Sequence, residues 1–445
     1  MTSLALTTAA TELAVRWNPL DWPLTRGPIP YAVLAAGCAS LALLSLSRDR
    51  RWLGLRPAGA ALLTAAVTAA IKIVVDGWWH PFPEGTPDYV LGWVALAVLA
   101  LALAGFRAPL LPGRRRFLAA GGAVLVVLMA ASQVNRGFDQ YPTARVMLAP
   151  RTQALTTGKA PEVVAVPAGK VLEEVWQAPA GLPEKGTVST APIPGTRSGF
   201  EARDAYVYLP PAYQASPRPL LPVLVLMAGQ PGNPSDWVNS GGMQERLDAF
   251  AAEHRGLAPI VVMVDQIATM WGNSLCMDSN VARAQTYLAE DVPDWIRGHL
   301  QTAAGRGALA IGGASLGGTC ALQLAVNAPH VYGSFIDISG QDEPTLGSHG
   351  ETVEKAFDGD EKAFAAVDPA QLMATRRYPD TAGVFAVGAG DDDFRPQQET
   401  MYAAAQKAGM KVEFQPIPGG HSWTVFREAL DRNLPWLGRQ TGMTR

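Results

Sequence analysis

The chain is poor in charge. Lys, Arg, Asp and Glu make up 17% of its 445 residues, against 48% for the apolar types. That balance excludes an ordinary water-soluble protein over the whole length. Neither sign is in excess. Lys and Arg number 36, Asp and Glu 39, and the formal net charge is −3. A surface for nucleic acid is therefore not expected. Cysteine is almost absent, with Cys38, Cys276 and Cys320 alone. None stands in a CxxC or Cys/His spacing, so no zinc site is expected. No other metal or cofactor is expected, and there is no internal repeat. The oligomeric state leaves no mark on the sequence.

Apolar residues are concentrated at the front. Four segments, about 29–46, 58–75, 89–106 and 117–134, are each close to the length of a bilayer-crossing helix and almost free of charge. A cleaved signal peptide is not expected, because the first segment lacks a basic leader and three more follow it. The expectation is a membrane domain over 1–134. The loop after the first segment carries Arg48, Arg50, Arg51 and Arg56, and the loop after the third carries Arg107, Arg114, Arg115 and Arg116. The loop after the second has acids and neither Lys nor Arg. The positive-inside rule places the Arg-rich loops in the cytoplasm. The N-terminus and everything after the fourth segment then lie outside, and Trp78 and Trp79 mark the outer interface. Lys72 stands four residues before Asp76. It reads either as a snorkelling lysine paired at i,i+4 or as a contact for an anionic lipid headgroup. A transporter role is disfavoured, because the segments hold little else that is polar.

Residues 135–170 read as a linker. From 171 to 445 short β-rich runs alternate with helical stretches, which predicts an α/β domain with a mostly parallel sheet. Strands are expected at 171–177, 205–209, 223–228, 259–264, 308–312, 334–338, 383–387 and 412–416, with helices at 281–302 and 317–327.

Within this domain "ALAIGGASLGGTCALQLAV" sets a G-x-S-x-G between an apolar strand and a helix. That context is the nucleophile elbow, and Ser315 is the candidate nucleophile. Its hydroxyl needs a base. Of six histidines, His421 alone follows the last expected strand, in "PIPGGHSW". The acid is expected after the preceding strand, where "GVFAVGAGDDDF" offers Asp391, Asp392 and Asp393. Asp391, placed first after the turn, is preferred. The acidic run lacks the alternating spacing of a calcium loop. For the oxyanion, the expected donors are the N–H groups of Leu316 and of Gln230, the latter in the loop "LMAGQPGNPSDW".

These motifs resemble the putative-esterase branch of the α/β hydrolases, which includes enterochelin esterases, S-formylglutathione hydrolases and mycolyltransferases of the antigen 85 type. The likeness covers roughly 171–445. It rests on "GGASLGGTCAL", "GAGDDD", "GGHSW" and the glycine-rich loop, where Ala228-Gly229 replaces the His-Gly of many relatives. The stretch "CMDSNVARAQTYLAEDVPDWI" and the four-helix front end look like membrane-anchored actinobacterial members. The resemblance implies an ester hydrolase working through an acyl-enzyme. Its expected partners are membrane lipids and an acylated or aminoacylated lipid ester at the outer membrane face. Acyl transfer with the same triad and a catalytically inactive scaffold are the alternatives. The acceptor pocket is expected within 340–377, in the position of a cap. Cys276 and Cys320 form either a disulfide or two buried thiols.

Overall fold

Small and aliphatic residues dominate the first part of the chain, and they form long helices. The computed structural model describes residues 18–445, except 48, 50, 51, 53, 81, 83, 149–151 and 159–161. Arg48, Arg50 and Arg51 of the expected cytoplasmic loop thus lie outside the described residues. The chain divides into two units, Met1–Ala149 and Pro150–Arg445.

In the first unit, four helices are long and apolar enough to cross a membrane among the described residues. They are α1 (Pro28–Ser45), α2 (Leu55–Val74), α3 (Asp88–Arg107) and α4 (Arg114–Phe138). The fourth runs past the expected end at 134. The unit continues into the stretch expected as linker, where Arg145 pairs with Asp21. Small side chains let the helices approach. Ala60, Ala100, Ala123 and Val126 are fully or almost fully buried between them, and Met129 packs over Gly37. Arg107 donates to the Leu44 carbonyl at 3.0 Å and Arg56 to the Phe106 carbonyl at 3.2 Å. Both neutralise helix C-termini at the Arg-rich end. Lys72 pairs with Asp76 at 2.7 Å, and the other Asp76 oxygen accepts from the N–H and hydroxyl of Thr86.

The second unit holds one sheet, of nine strands among the described residues: β1 (Gln153–Ala154), β2 (Thr187–Ala191), β3 (Ala205–Leu209), β4 (Val223–Met227), β5 (Ile260–Val264), β6 (Leu309–Ala314), β7 (Ser334–Ile338), β8 (Ala382–Gly388) and β9 (Lys411–Ile417). Their spatial order is β1-β2-β3-β5-β4-β6-β7-β8-β9. β2–β3 and β3–β5 are antiparallel and the other pairs are parallel. Strands β4, β5, β7 and β8 are buried along their whole length, as their continuous apolar runs require when both faces are covered. The carboxyl ends of the parallel strands share one edge, where such folds place their sites.

The strand expected at 171–177 is instead one helical turn, α5 (Leu172–Val175). Leu172 and Trp176 are spaced i,i+4 and are both buried, a helical rather than an alternating pattern. Backbone N–H groups of Leu172 and Glu173 donate to the carbonyls of Gly442 and Met443. The edge strand β1 and its neighbour β2 lie outside the expected strands.

Candidate active site

Strand β6 ends at Ala314, and α8 (Leu316–Asn327) begins two residues later. Two helices precede it, α6 (Met243–Glu253) and α7 (Val292–His299). Ser315 is the corner, with φ 56° and ψ −126°. A non-glycine residue held at positive φ stores local strain, which persists only where its surroundings hold it. Here the Ser315 N–H donates to the Ile338 carbonyl at 2.8 Å, and its carbonyl accepts from Gly318 at 2.8 Å and Thr319 at 3.1 Å. A Cβ at Gly317 would collide with the carbonyls of Met227 and Ala228, and one at Gly313 with Gly317 itself. The G-x-S-x-G glycines therefore answer to backbone packing around the corner.

The turns after β8 and β9 bring an acid and a histidine together. The turn after β8 and the turn after β9 are joined by bonds from Ala389 to Ile417 and from Gly390 to Gly419. His421 Nδ1 lies 2.9 Å from Asp391 Oδ2. The other Asp391 oxygen accepts from the Phe394 N–H at 3.3 Å. Asp391 is 4% exposed, whereas Asp392 and Asp393 are exposed. The imidazole stacks on Phe394, 4.1 Å between centroids, and meets Phe426 edge-on at 5.1 Å. A histidine held by Nδ1 and by ring contacts presents Nε2 outward, as a base serving a hydroxyl must.

Leu316 opens α8, so its N–H has no acceptor within the helix. The loop after β4 lies against the elbow. A Cβ at Gly229 would stand 3.1 Å from Ser315 Cβ and 3.6 Å from its Oγ. Gln230, next in the chain, is buried.

That loop is braced by residues with no local sequence pattern. Asp265, wholly buried at the end of β5, accepts two bonds from the Arg203 guanidinium at 2.9 and 2.7 Å. The same guanidinium donates to the Gly232 carbonyl at 3.2 Å. Gln266 donates to the Ala228 carbonyl at 2.5 Å and Trp237 to that of Met227 at 2.8 Å. Asp236 accepts from the Asn233 N–H, and burial pushes its carboxyl up to about 6. Arg203, Asp265 and Gly232 come from three distant parts of the chain, and only the fold shows that they meet.

Cys276 and Cys320 form a disulfide, with Cα atoms 5.4 Å apart. It ties the stretch after β5 to α8. Residues 340–377 carry α9 (His349–Phe357), α10 (Glu361–Ala365) and α11 (Pro369–Thr375). Val353, Ala356 and Phe364 of this segment pack on Leu275 and Met277, the neighbours of Cys276. His349 joins the segment's parts, with Nδ1 2.9 Å from Glu343 and Nε2 3.1 Å from Glu361. Among the described residues no group of three or more His, Cys, Asp or Glu side chains is placed to hold a metal.

A serine at a strand–helix elbow, with an acid–histidine pair on the following turns of a mostly parallel sheet, defines the α/β-hydrolase class. Within that class the chain belongs to the putative-esterase family, whose profile matches residues 201–437. It is 35% identical over 421 residues to an uncharacterized protein of Corynebacterium glutamicum, covering 92% of this chain and 95% of that one. Solved structures with a general likeness include a ferulic acid esterase (20% identity, 57% of this chain and 98% of that chain, TM-score 0.49). An S-formylglutathione hydrolase from Agrobacterium tumefaciens is another (18%, 58% and 97%, TM-score 0.48), as is MPT51 of Mycobacterium tuberculosis (20%, 58% and 99%, TM-score 0.42). Membership rests on the family match.

Proposed function

We propose that the protein is a membrane-anchored serine esterase whose catalytic unit faces the outside of the plasma membrane and cleaves a lipid ester there. The observation that carries this reading is the 2.9 Å bond between His421 Nδ1 and Asp391, on the turns beyond the Ser315 elbow. In this reading Ser315 Oγ attacks the ester carbonyl while His421 Nε2 takes its proton. Asp391 steadies the imidazolium. The oxyanion is met by the N–H groups of Leu316 and Gln230. The alcohol leaves with the proton from His421, and water, activated by the same base, releases the acyl group from Ser315.

Two observations support the location. The Arg-rich loops favour an inside position for the connections they occupy. The Cys276–Cys320 disulfide is of the kind that persists outside the cytoplasm. The four helices support anchoring, and a tether concentrates the enzyme where ester lipids are. These arguments favour an acylated or aminoacylated envelope lipid as the substrate.

The test is mass spectrometry after a fluorophosphonate probe, with wild type beside Ser315→Ala, followed by lipid profiling of membranes holding either form. A single adduct on the Ser315 peptide, absent from the variant, and one ester lipid that accumulates with the variant are expected. Absence of an adduct on folded wild-type protein would sink the reading. Transfer of the acyl group to a sugar hydroxyl, rather than to water, would make the enzyme an acyltransferase.

A further inference from the structure

The N–H of Gln230 serves the proposed reaction only if the peptide that carries it faces the right way. The Gly229–Gln230 peptide is trans, so its carbonyl and its N–H point to opposite sides. The Gly229 carbonyl lies over Gly232, where a Cβ would stand 2.4 Å from that oxygen. Gly232 is therefore the backstop of this peptide. While Gly232 stays in place, the Gly229 carbonyl keeps to its side and the Gln230 N–H to the other.

Gly232 is held from two directions. Its N–H donates to the Met270 carbonyl at 3.0 Å, and its carbonyl accepts from Arg203 Nη1 at 3.2 Å. The same Nη1 donates to Asn233 Oδ1, one residue on. The rest of the guanidinium is fixed on Asp265, the residue after β5. Nε and Nη2 donate to its two oxygens at 2.9 and 2.7 Å, and the Arg203 backbone N–H donates to Oδ2 at 2.8 Å. Asp265 is wholly buried, and its Oδ1 also accepts from the Ile267 N–H at 3.1 Å. A bidentate arginine–carboxylate pair sets orientation as well as distance. With two arms of the fork on Asp265, the third is aimed at the loop. A lysine ammonium carries the charge but has no fork, and could not serve the acid and the loop in the same way.

We propose that Arg203 is a positioning residue for ester hydrolysis: anchored on Asp265, it clamps the Gly232 carbonyl and thereby holds the Gln230 N–H where the oxyanion forms. Arg203 touches no reacting atom. Its role rests on the reading of Ser315 and Gln230 given above. An oxyanion donor acts on charge that develops only in the transition state. Loosening the clamp therefore lowers kcat and leaves KM nearly as it was.

The experiment uses the full chain in detergent, as wild type, Arg203→Lys, the double variant Arg203→Met with Asp265→Asn, and Arg306→Lys. The double variant removes the clamp without leaving a buried carboxylate unpaired, so it folds where a single loss of charge would not. Arg306, before the amino end of β6, donates to the carbonyls of Asp380 and Tyr332 at 2.9 and 3.1 Å and reports what an arginine brace is worth to the fold alone. Three quantities are read: kcat and KM on a short-chain aryl ester, the inhibition constant of a trifluoromethyl ketone that a serine converts to a tetrahedral oxyanion, and the unfolding temperature. Both Arg203 variants are expected to lose about tenfold or more in kcat with KM within about twofold of wild type. The ketone should weaken by the same factor as kcat/KM falls. Arg306→Lys should lower the unfolding temperature and keep both kcat and the ketone's affinity. Folded Arg203 variants that keep kcat within about twofold, or that lose kcat while binding the ketone as wild type does, would overturn the positioning role. If wild type itself turns over no ester and takes no fluorophosphonate, the reading of Ser315 has failed and the role of Arg203 falls with it. An active wild type matched by its Arg203 variants sinks the clamp alone.

Discussion

The two units use the same apolar side chains in opposite ways. In the first, large side chains face outward: Leu62 is 73% exposed, Leu118 74% and Phe117 80%. Its interior is made largely of small residues such as Ala60, Ala100 and Ala123. In the second, Leu224, Val262, Phe335 and Phe385 are buried completely, and the large apolar side chains left outside are few, with Met270 and Trp271 beside the loop after β4. The inversion is the one a membrane would impose: water drives apolar area inward, whereas in lipid the packing of small residues would hold the helices together.

The largest expected effect tests whether the second unit is an enzyme at all. Ser315→Ala should lower ester hydrolysis by about 10⁴-fold or more while leaving the thermal unfolding midpoint nearly unchanged, measured by steady-state kinetics beside calorimetry. Equal activity in the variant would remove the contrast between an anchoring unit and a catalytic one.

Next comes the disulfide, which constrains the water-facing unit alone. Replacing both Cys276 and Cys320 by alanine should destabilise the second unit by about 4 kcal/mol in the chain-entropy view, read by denaturant unfolding. Reducing agent should act on wild type in the same direction and leave the double variant unaffected.

A charge on the outward face of the first unit sharpens the comparison further. Leu62→Arg should cost roughly 2.5–3.5 kcal/mol of insertion if that face meets lipid, and almost nothing if it meets water. The share of protein recovered in the membrane fraction, scored against Leu62→Ala, decides between them.

The smallest effect belongs to His349, on the exposed side of the second unit. Glu343 first and Glu361 second hold its imidazolium above the ordinary histidine value. The stabilisation is therefore complete below the unfolded value of 6.5 and fades as pH rises through the folded one. His349→Gln should lower the unfolding temperature slightly in acid and not at all in mild alkali. A difference that grows with pH would contradict the assignment.

The contrast also explains what could be read before any fold was known. The elbow at Ser315 and the turns at Asp391 and His421 are local patterns, a strand, a tight turn and a helix within a few residues, and a linear sequence displays them. The four apolar helices are equally local. The brace from Arg203 through Asp265 to Gly232 is long-range and has no periodicity. Strand β2, next to the edge, reads "TVSTA", too polar to stand out as a run. The turn at 172–175 reads as a strand in the sequence because "VLEEVWQ" is β-rich in composition and helical only in the spacing of its buried residues, Leu172 and Trp176.

The contact between α5 and residues 442–443 reaches beyond the fold. Leu172 and Glu173 draw their first backbone bonds from Gly442 and Met443, Met443 is buried, and Arg445 pairs with Glu174. The turn at 172–175 and the C-terminal residues thus close on each other like a clasp. Force applied between residue 172 and the C-terminus would load this clasp before it reached β2. A graft that spliced the unit into another protein would need only a narrow opening in its host.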